Sequence, residues 1–374
     1  MESFAFALVL ALAFANGTND VSKAIATLVG SGVTDYRTAL AWGTLWTILG
    51  ASLSAFVASA MVKTFSQGLI EAGSVLPSAV GLSALGGTIA WVLIASRTGL
   101  PVSTTHALTG AIVGAGLLAV GNQALVWPTI VKKIALPLLL SPLLALMVSL
   151  AIHPLIRMLA ARWEGACLCL MPASRALVTV DARGGTRTLF QTTALGMPVA
   201  AVPSQCDRAG LLGLTVGLDS IHWVSSGLAS LARGTNDAPK IAAMLLLGSA
   251  ASWPSGSLQT AAFVGVALAM GLGSFWGGRR VTEVLAEKVT RMDHAEGLSA
   301  NLTTSSLVFG SAVLGLPVST THVSSSAILG IGLLKGPQAV QWTTVRDMVL
   351  AWIVTLPASA LLACLAFLFL NRLL

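Results

Sequence analysis

Two polar motifs each occur twice in this 374-residue chain, in the same order. Residues 17–23 read Gly-Thr-Asn-Asp-Val-Ser-Lys, and residues 234–240 read Gly-Thr-Asn-Asp-Ala-Pro-Lys. Residues 99–106 read Gly-Leu-Pro-Val-Ser-Thr-Thr-His, and residues 315–322 repeat all eight without change. Self-similarity at a fixed offset indicates duplicated structural units. The sequence therefore predicts two related halves.

The chain around these motifs is strongly apolar, with 55% hydrophobic and 9% charged residues. Soluble domains are about 25% charged, and a membrane helix needs about 20 apolar residues. We therefore expect an all-α polytopic membrane protein with about 10–12 membrane segments, not a soluble enzyme. Its predicted parts are a first transmembrane repeat at 1–154, a basic linker at 155–208 and a second transmembrane repeat at 209–374.

Hydropathy divides each half into about five membrane elements. They lie at 3–31, 38–62, 78–97, 101–121 and 134–153 in the first half, and at 209–250, 257–278, 299–315, 317–334 and 347–370 in the second. The third and fourth are separated only by the Gly-Leu-Pro-Val-Ser-Thr-Thr-His motif, so they form either a re-entrant hairpin or two full spans. Both alternatives give an odd number of crossings, and the second half then enters the membrane from the opposite side. Inverted repeats with broken helices are typical of secondary transporters. Because the chain has no P-loop motif, we expect an ion gradient to drive transport.

Basic residues concentrate in the 155–208 linker and around 279–291. The positive-inside rule predicts a multi-pass protein of the plasma or inner membrane, with a cytoplasmic central loop and external termini. The net charge of +7 thus serves orientation, and the sequence gives no support to nucleic-acid binding. Short stretches in which apolar and polar residues alternate lie on either side of Gly184-Gly185, and they predict a small β-hairpin in the linker. The sequence leaves open whether the chain forms a homodimer.

Asp20 and Lys23 lie inside an apolar run, and Asp237 and Lys240 repeat the arrangement. Each such charge costs about 2.5–3.5 kcal/mol at a helix centre, so it suggests a functional site. We predict that each aspartate helps to bind a coupling cation, while each lysine compensates charge or contacts an anion. A buried ion pair that locks neighbouring helices is the structural alternative. Glycine and asparagine also predict a helix break near 16–19, with a new helix starting at Thr18 or Asn19.

The second motif places three hydroxyls after a proline, where they cap the next helix and offer donors to a tetrahedral oxyanion. His106 and His322 either titrate with the substrate or cap a carbonyl. The candidate substrate-binding residues are Thr18, Asn19, Ser103, Thr104, Thr105, Thr235, Asn236, Lys240, Ser319, Thr320 and Thr321. The candidate sites for a coupling sodium ion or proton are Asn19, Asp20, Asn236 and Asp237, with Lys23 as a charge-compensating residue.

The duplicated Asn-Asp and Ser-Thr-Thr-His motifs resemble those of the inorganic phosphate transporter (PiT) family. The resemblance covers both halves and implies a symporter of inorganic phosphate, with sodium ions or protons as coupling ions and no other cofactor. Lys23 and Pro239 depart from the pattern, in which the first position is normally neutral and the second is an amide. A sulfate permease stays open as an alternative. A non-transporting membrane sensor or complex subunit is the alternative of a different class.

Overall fold

The computed structural model describes residues 2–57, 59–70, 77–163, 167–180, 186–201, 217–247 and 257–372. It confirms an all-α membrane architecture outside the central linker. Within these residues, six helical segments are long and apolar enough to cross a membrane, and two shorter apolar helices accompany them. The main membrane elements lie close to the boundaries that hydropathy predicts, because helices in lipid must satisfy their own backbone groups.

The first half contains eight helices that follow one another along the described chain. They are α1 (Glu2–Asp20), α2 (Ser22–Gly30), α3 (Tyr36–Val57), α4 (Ser59–Gln67), α5 (Ser78–Thr98), α6 (Thr104–Val120), α7 (Trp127–Thr129) and α8 (Leu136–Trp163). A π-helical stretch, Ile130–Ala135, joins α7 to α8. The predicted domain boundary at 154 therefore falls inside α8, whose helix continues to Trp163.

The second half repeats the pattern of a long motif helix, a span and a helical hairpin. Its described helices are α9 (Leu218–Ala243), α10 (Ser257–Trp276), α11 (Arg279–Glu283), α12 (His294–Val313), α13 (Thr320–Leu334) and α14 (Trp342–Leu370). Helices α12 and α13 correspond to α5 and α6, since each pair is joined by one copy of the second motif.

The helix break predicted near 16–19 is wrong. Helix α1 continues through Gly17 to Asp20, and only Val21 separates it from α2. A side chain at Gly17 would lie 2.2 Å from the Met270 carbonyl oxygen of α10. The glycine therefore permits close helix packing instead of ending the helix.

Helix α9 likewise passes through its copy of the motif without interruption, although Pro239 lies inside it. A Cβ atom at Gly234 would lie 2.4 Å from the Thr47 carbonyl oxygen of α3. The polar motif side chains find hydrogen-bond partners on neighbouring helices, so the backbone does not have to open. The amide and carbonyl groups of the second motif consequently remain in helical geometry.

Two pairs of helices from different halves lie side by side and run parallel. In the first pair, Phe14 of α1 contacts Gly273 of α10, and Thr18 contacts Gly277. In the second pair, the α3 and α9 helices approach each other along their length. Trp42 donates to the Trp223 carbonyl oxygen at 2.9 Å, and Gly50 contacts Leu231.

The two motif helices run in opposite directions. After α2, the chain reverses at residues 31–35, and α3 packs antiparallel to α2 with Ile25 against Gly43. Since α9 is parallel to α3, it is antiparallel to α1. Each half thus contributes its Asp–Lys motif on a helix of opposite direction.

The helical hairpins are exchanged between the halves. The α5–α6 hairpin packs against α14 of the second half, where a side chain at Gly87 would meet Ala363. The α12–α13 hairpin packs against α8 of the first half, where Gly330 meets Ser149. The two repeats are therefore interleaved, and neither forms a separate globule.

The described part of the linker forms an antiparallel β-hairpin, where the sequence predicts a small β element. Strand β1 (Cys167–Val180) pairs with β2 (Thr186–Ala201), with an irregular register between Pro172 and Ala173. Both strands are longer than the alternating stretches that predict them. Gly184-Gly185 lies outside the described residues.

Candidate functional site

Five charged side chains lie buried where α1, α2 and α9 meet the tips of both hairpins. We call them the central cluster: Asp20, Lys23, Arg233, Asp237 and Lys240, each at most 3% exposed. Within each motif, the aspartate and the lysine are three residues apart, so they share one helix face. Asp237 and Lys240 lie within the continuous helix α9, whereas Asp20 ends α1 and Lys23 lies in the first turn of α2, joined by Val21 in helical backbone conformation.

The first ion pair joins Lys23 to Asp20. The Lys23 ammonium also donates to Asn19 Oδ1 at 2.9 Å and to the Val102 carbonyl oxygen at 3.0 Å. A carboxylate, an amide oxygen and a carbonyl oxygen at the tip of the first hairpin therefore surround it. Such oxygens are also the ligands that hard cations prefer.

The second ion pair repeats this arrangement in the other half. Lys240 Nζ lies 3.2 Å from Asp237 Oδ1 and 3.2 Å from the Val318 carbonyl oxygen, and it donates to Thr105 Oγ1 at 2.8 Å. Val318 occupies the position in the second hairpin that Val102 occupies in the first. Each lysine thus fixes the tip of its own half's hairpin, and Lys240 also contacts the other tip.

Asn16 connects the two halves of the cluster, and sequence reasoning did not select it as a site residue. Its Nδ2 lies 3.0 Å from Asp20 Oδ2, 3.4 Å from Asp237 Oδ2 and 3.1 Å from Thr104 Oγ1. One amide group is thus within hydrogen-bonding distance of both aspartates. Thr320 Oγ1 adds a weak contact to Asp20 Oδ2 from the second tip, at 3.4 Å.

The hairpin tips present two helix N-termini to the cluster. Ser103 caps α6 by accepting from the His106 amide at 3.2 Å, and Ser319 caps α13 by accepting from the His322 amide at 3.1 Å. The predicted caps are therefore present. The two imidazole rings lie 4.6 Å apart, and Thr321 Oγ1 donates across the junction to the Val102 carbonyl oxygen at 2.6 Å.

Asn236 also lies in this junction, since its Nδ2 donates to Asp237 Oδ1 at 2.9 Å and to the Val318 carbonyl oxygen at 3.2 Å. The structure does not bring two of the predicted substrate-binding hydroxyls to the cluster. Thr18 donates to the Ala15 carbonyl oxygen, and Thr235 contacts the Gly50 and Leu231 carbonyl oxygens. Both hydroxyls satisfy helix backbone instead.

Within the central cluster, Arg233 is the residue to which the sequence assigned no role. It directly precedes the second Gly-Thr-Asn-Asp motif, and an arginine inside a membrane helix is the signal that identifies it. Its Nη2 donates to Thr47 Oγ1 at 2.6 Å. With two carboxylates against three basic side chains, the cluster carries an excess of one positive charge. That excess, together with capped helix N-termini and hydroxyls, suits an oxyanion.

Sequence and structure comparisons agree with this architecture. The sequence profile of the phosphate transporter family matches residues 16–363. A Bacillus subtilis protein described as "Probable low-affinity inorganic phosphate transporter" is 31% identical over 97% of this chain and 95% of its own. A protein with the same description from Mycobacterium bovis is 30% identical over 96% of this chain and 75% of its own.

A solved structure has the same fold. This structure, described as "The sodium-dependent phosphate transporter", matches with a TM-score of 0.77 and 24% identity, over 100% of this chain and 99% of the other. The family relationship also makes this chain a transporter and not an enzyme. From the duplicated motifs, the helical membrane fold and the near-complete match to the family profile, the chain belongs to the phosphate transporter family.

Proposed function

We propose that this chain is a secondary active symporter that moves inorganic phosphate together with sodium ions or protons. The central cluster carries the proposal, because its buried charges lie beside two capped helix N-termini. Backbone amides and hydroxyls at such termini favour oxyanions, while the aspartates favour cations. The descriptions of the relatives support phosphate as the substrate, and that of the solved neighbour supports sodium.

Alternating access between two inverted repeats is the proposed mechanism. The opposite directions of α1 and α9 support it, since each of these helices carries the aspartate of one Asp–Lys pair. The exchanged hairpins support it too. Each hairpin packs on the last helix of the other half, so hairpin and helix can move as one body. Movement of these bodies would open the cluster to one side of the membrane at a time.

Uptake into proteoliposomes tests this function. We expect purified protein to accumulate radiolabelled phosphate saturably under a sodium or proton gradient, and to lose accumulation when the gradient is collapsed. Unlabelled phosphate should compete better than sulfate. Stronger competition by sulfate would assign the chain to the sulfate alternative. Absence of gradient-driven accumulation of either anion would contradict the transporter function and favour the sensor alternative.

Lys23 distinguishes the candidate coupling ions. Its ammonium lies among oxygens of Asp20, Asn19 and Val102 that would suit a cation. We infer that it partly substitutes for one bound sodium ion, which leaves fewer coupling ions or proton coupling. Uptake by Lys23→Asn should therefore depend more strongly on sodium concentration than wild-type uptake. If the variant and the wild type depend on sodium identically, the Lys23 ammonium does not replace a sodium ion. Lys132→Asn, which removes a lysine at an exposed position, is the matched control.

The placement of basic residues supports a cytoplasmic linker and external termini in the cell membrane. A carboxyl-terminal tag on the full chain should then be digested by added protease in right-side-out membrane vesicles and protected in inverted ones. The reverse pattern would contradict this orientation.

A further inference from the structure

Arg233 carries an unsatisfied buried charge. The residue is 1% exposed, and its one hydrogen bond to the described residues runs from Nη2 to Thr47 Oγ1. Its Nε and Nη1 have no hydrogen-bond partner among those residues. A guanidinium presents five N–H donors in a rigid fork, and the three on Nε and Nη1 are left open. A buried charge without partners is costly, and native structures seldom keep one without a function.

Arg233 makes no salt bridge within the cluster, although Asp20 and Asp237 both attract its charge from a greater distance. Asp20 is paired with Lys23 and Asp237 with Lys240, whereas Arg233 forms no ion pair in the described part of the chain. The two neutral pairs leave one positive charge over. An anion that lies against Arg233 would neutralise that charge.

A gap between side chains lies against the arginine. It is bordered by Arg233, Lys23, Thr304 and Thr320, with alanine and valine side chains around them. Two of these residues are basic and two carry hydroxyls. The gap is too narrow for a water molecule in this conformation. An ion therefore enters only when the lining side chains move apart, as expected of a closed transporter.

The two copies of the first motif differ at the residue that precedes them. Arg233 occupies the position in α9 that Asn16 occupies in α1, one residue before the Gly-Thr-Asn-Asp motif. The Asn16 amide nitrogen is within hydrogen-bonding distance of Asp20, Asp237 and Thr104. Arg233 instead donates to Thr47 and borders the gap. The second half therefore supplies a charged donor where the first supplies a neutral bridge.

We infer that Arg233 is an anion-binding residue, whose Nε and Nη1 hold one edge of a tetrahedral oxyanion beside Lys23 and Thr320. This inference rests on the proposed phosphate transport and names one residue that would bind the phosphate. The planar fork of a guanidinium matches two oxygens of such an ion, and a lysine ammonium does not.

Binding of inorganic phosphate to purified full-length protein tests the assignment through calorimetry and ligand-induced thermal stabilisation. We expect Arg233→Gln to raise the Kd for phosphate by about 10- to 100-fold, since hydrogen bonds to charged groups are lost. Arg233→Lys keeps the charge without the fork and should give an intermediate value. The dependence of uptake on the coupling ion should stay as in the wild type. Arg279→Gln, which removes the same charge from a 78% exposed side chain, should bind normally.

A wild-type Kd in Arg233→Gln would overturn the assignment. If that variant does not fold, a wild-type Kd in Arg233→Lys overturns it equally. Failure of the wild type to bind or carry phosphate would instead contradict the proposed function. In that case the sulfate Kd of the wild type is compared with that of Arg233→Gln. A higher Kd in the variant would support oxyanion binding by Arg233, and an equal Kd would overturn it.

Discussion

At the scale of single residues, Asp20 and Asp237 have equivalent positions but different surroundings. Asp20 accepts from Lys23 and Asn16 and receives a weak contact from the second hairpin. Asp237 accepts from Lys240 and from its own neighbour Asn236. A buried carboxylate is stable only when paired and hydrogen-bonded, and both aspartates meet that condition.

The first prediction concerns these carboxylates. We expect Asp20→Asn and Asp237→Asn each to abolish phosphate uptake while the amount of folded protein is retained. The amide keeps an oxygen for the lysine but removes the negative charge that a coupling cation needs. Uptake in proteoliposomes and size-exclusion profiles measure the two quantities. Asp347→Asn, at a half-exposed side chain, is the control. Undiminished uptake in both variants would refute the cation role.

At the scale of helices, close approach of backbones determines which elements pair. Glycines lie at several contacts between the halves, among them Gly17 against α10, Gly234 against α3 and Gly87 against α14. In lipid, helices associate through such small residues because apolar side chains gain little by leaving the bilayer. This explains why the motif glycines do not break their helices. Propensity alone predicts a break there, and packing overrides it.

Two adjacent glycines of α5 test the importance of this packing. A Cβ atom at Gly87 would lie 2.6 Å from the Ala363 backbone nitrogen, whereas one at Gly86 would have nothing within 4 Å. We expect Gly87→Ala to destabilise the protein by about 1–3 kcal/mol through overpacking. Gly86→Ala should leave stability unchanged or raise it slightly. Thermal unfolding in detergent, followed by tryptophan fluorescence, measures both. Equal effects of the two substitutions would contradict the contact.

At the scale of the whole molecule, the exchange of hairpins makes the two halves depend on each other. The hairpin of each half packs on the last helix of the other, α14 or α8. The apolar faces and small residues of each half are therefore matched to a partner on the other half. Hydropathy and repeats do not reveal this exchange, because contacts within a half would give the same sequence pattern.

Coexpression of the two halves tests this dependence. We expect residues 1–163 and residues 217–374 each to give no monodisperse protein when expressed alone, since their hairpin contacts are missing. The two fragments should copurify as one complex when they are made in the same cell. Differential tags and size-exclusion chromatography measure this outcome. A half that folds alone and stays monodisperse would argue against the interleaved arrangement.

The sequence by itself determined the spans, the duplication and the two polar motifs. Apolar segment length and the satisfaction of backbone hydrogen bonds within a helix are local properties, so boundaries such as those of α3, α5 and α13 can be predicted. Motif identity also selected Asp20, Lys23, Asp237 and Lys240, because charges inside an apolar run are rare.

Only the tertiary structure decided how these parts are used. It continued α1 through Gly17 and α9 through its whole motif. It also turned Thr18 and Thr235 towards backbone carbonyls, and gave Asn16 and Arg233 different partners. The physical reason is that helix pairing and side-chain hydrogen bonding depend on neighbours from the other half of the chain. Two identical local motifs therefore have different functions as soon as their surroundings differ.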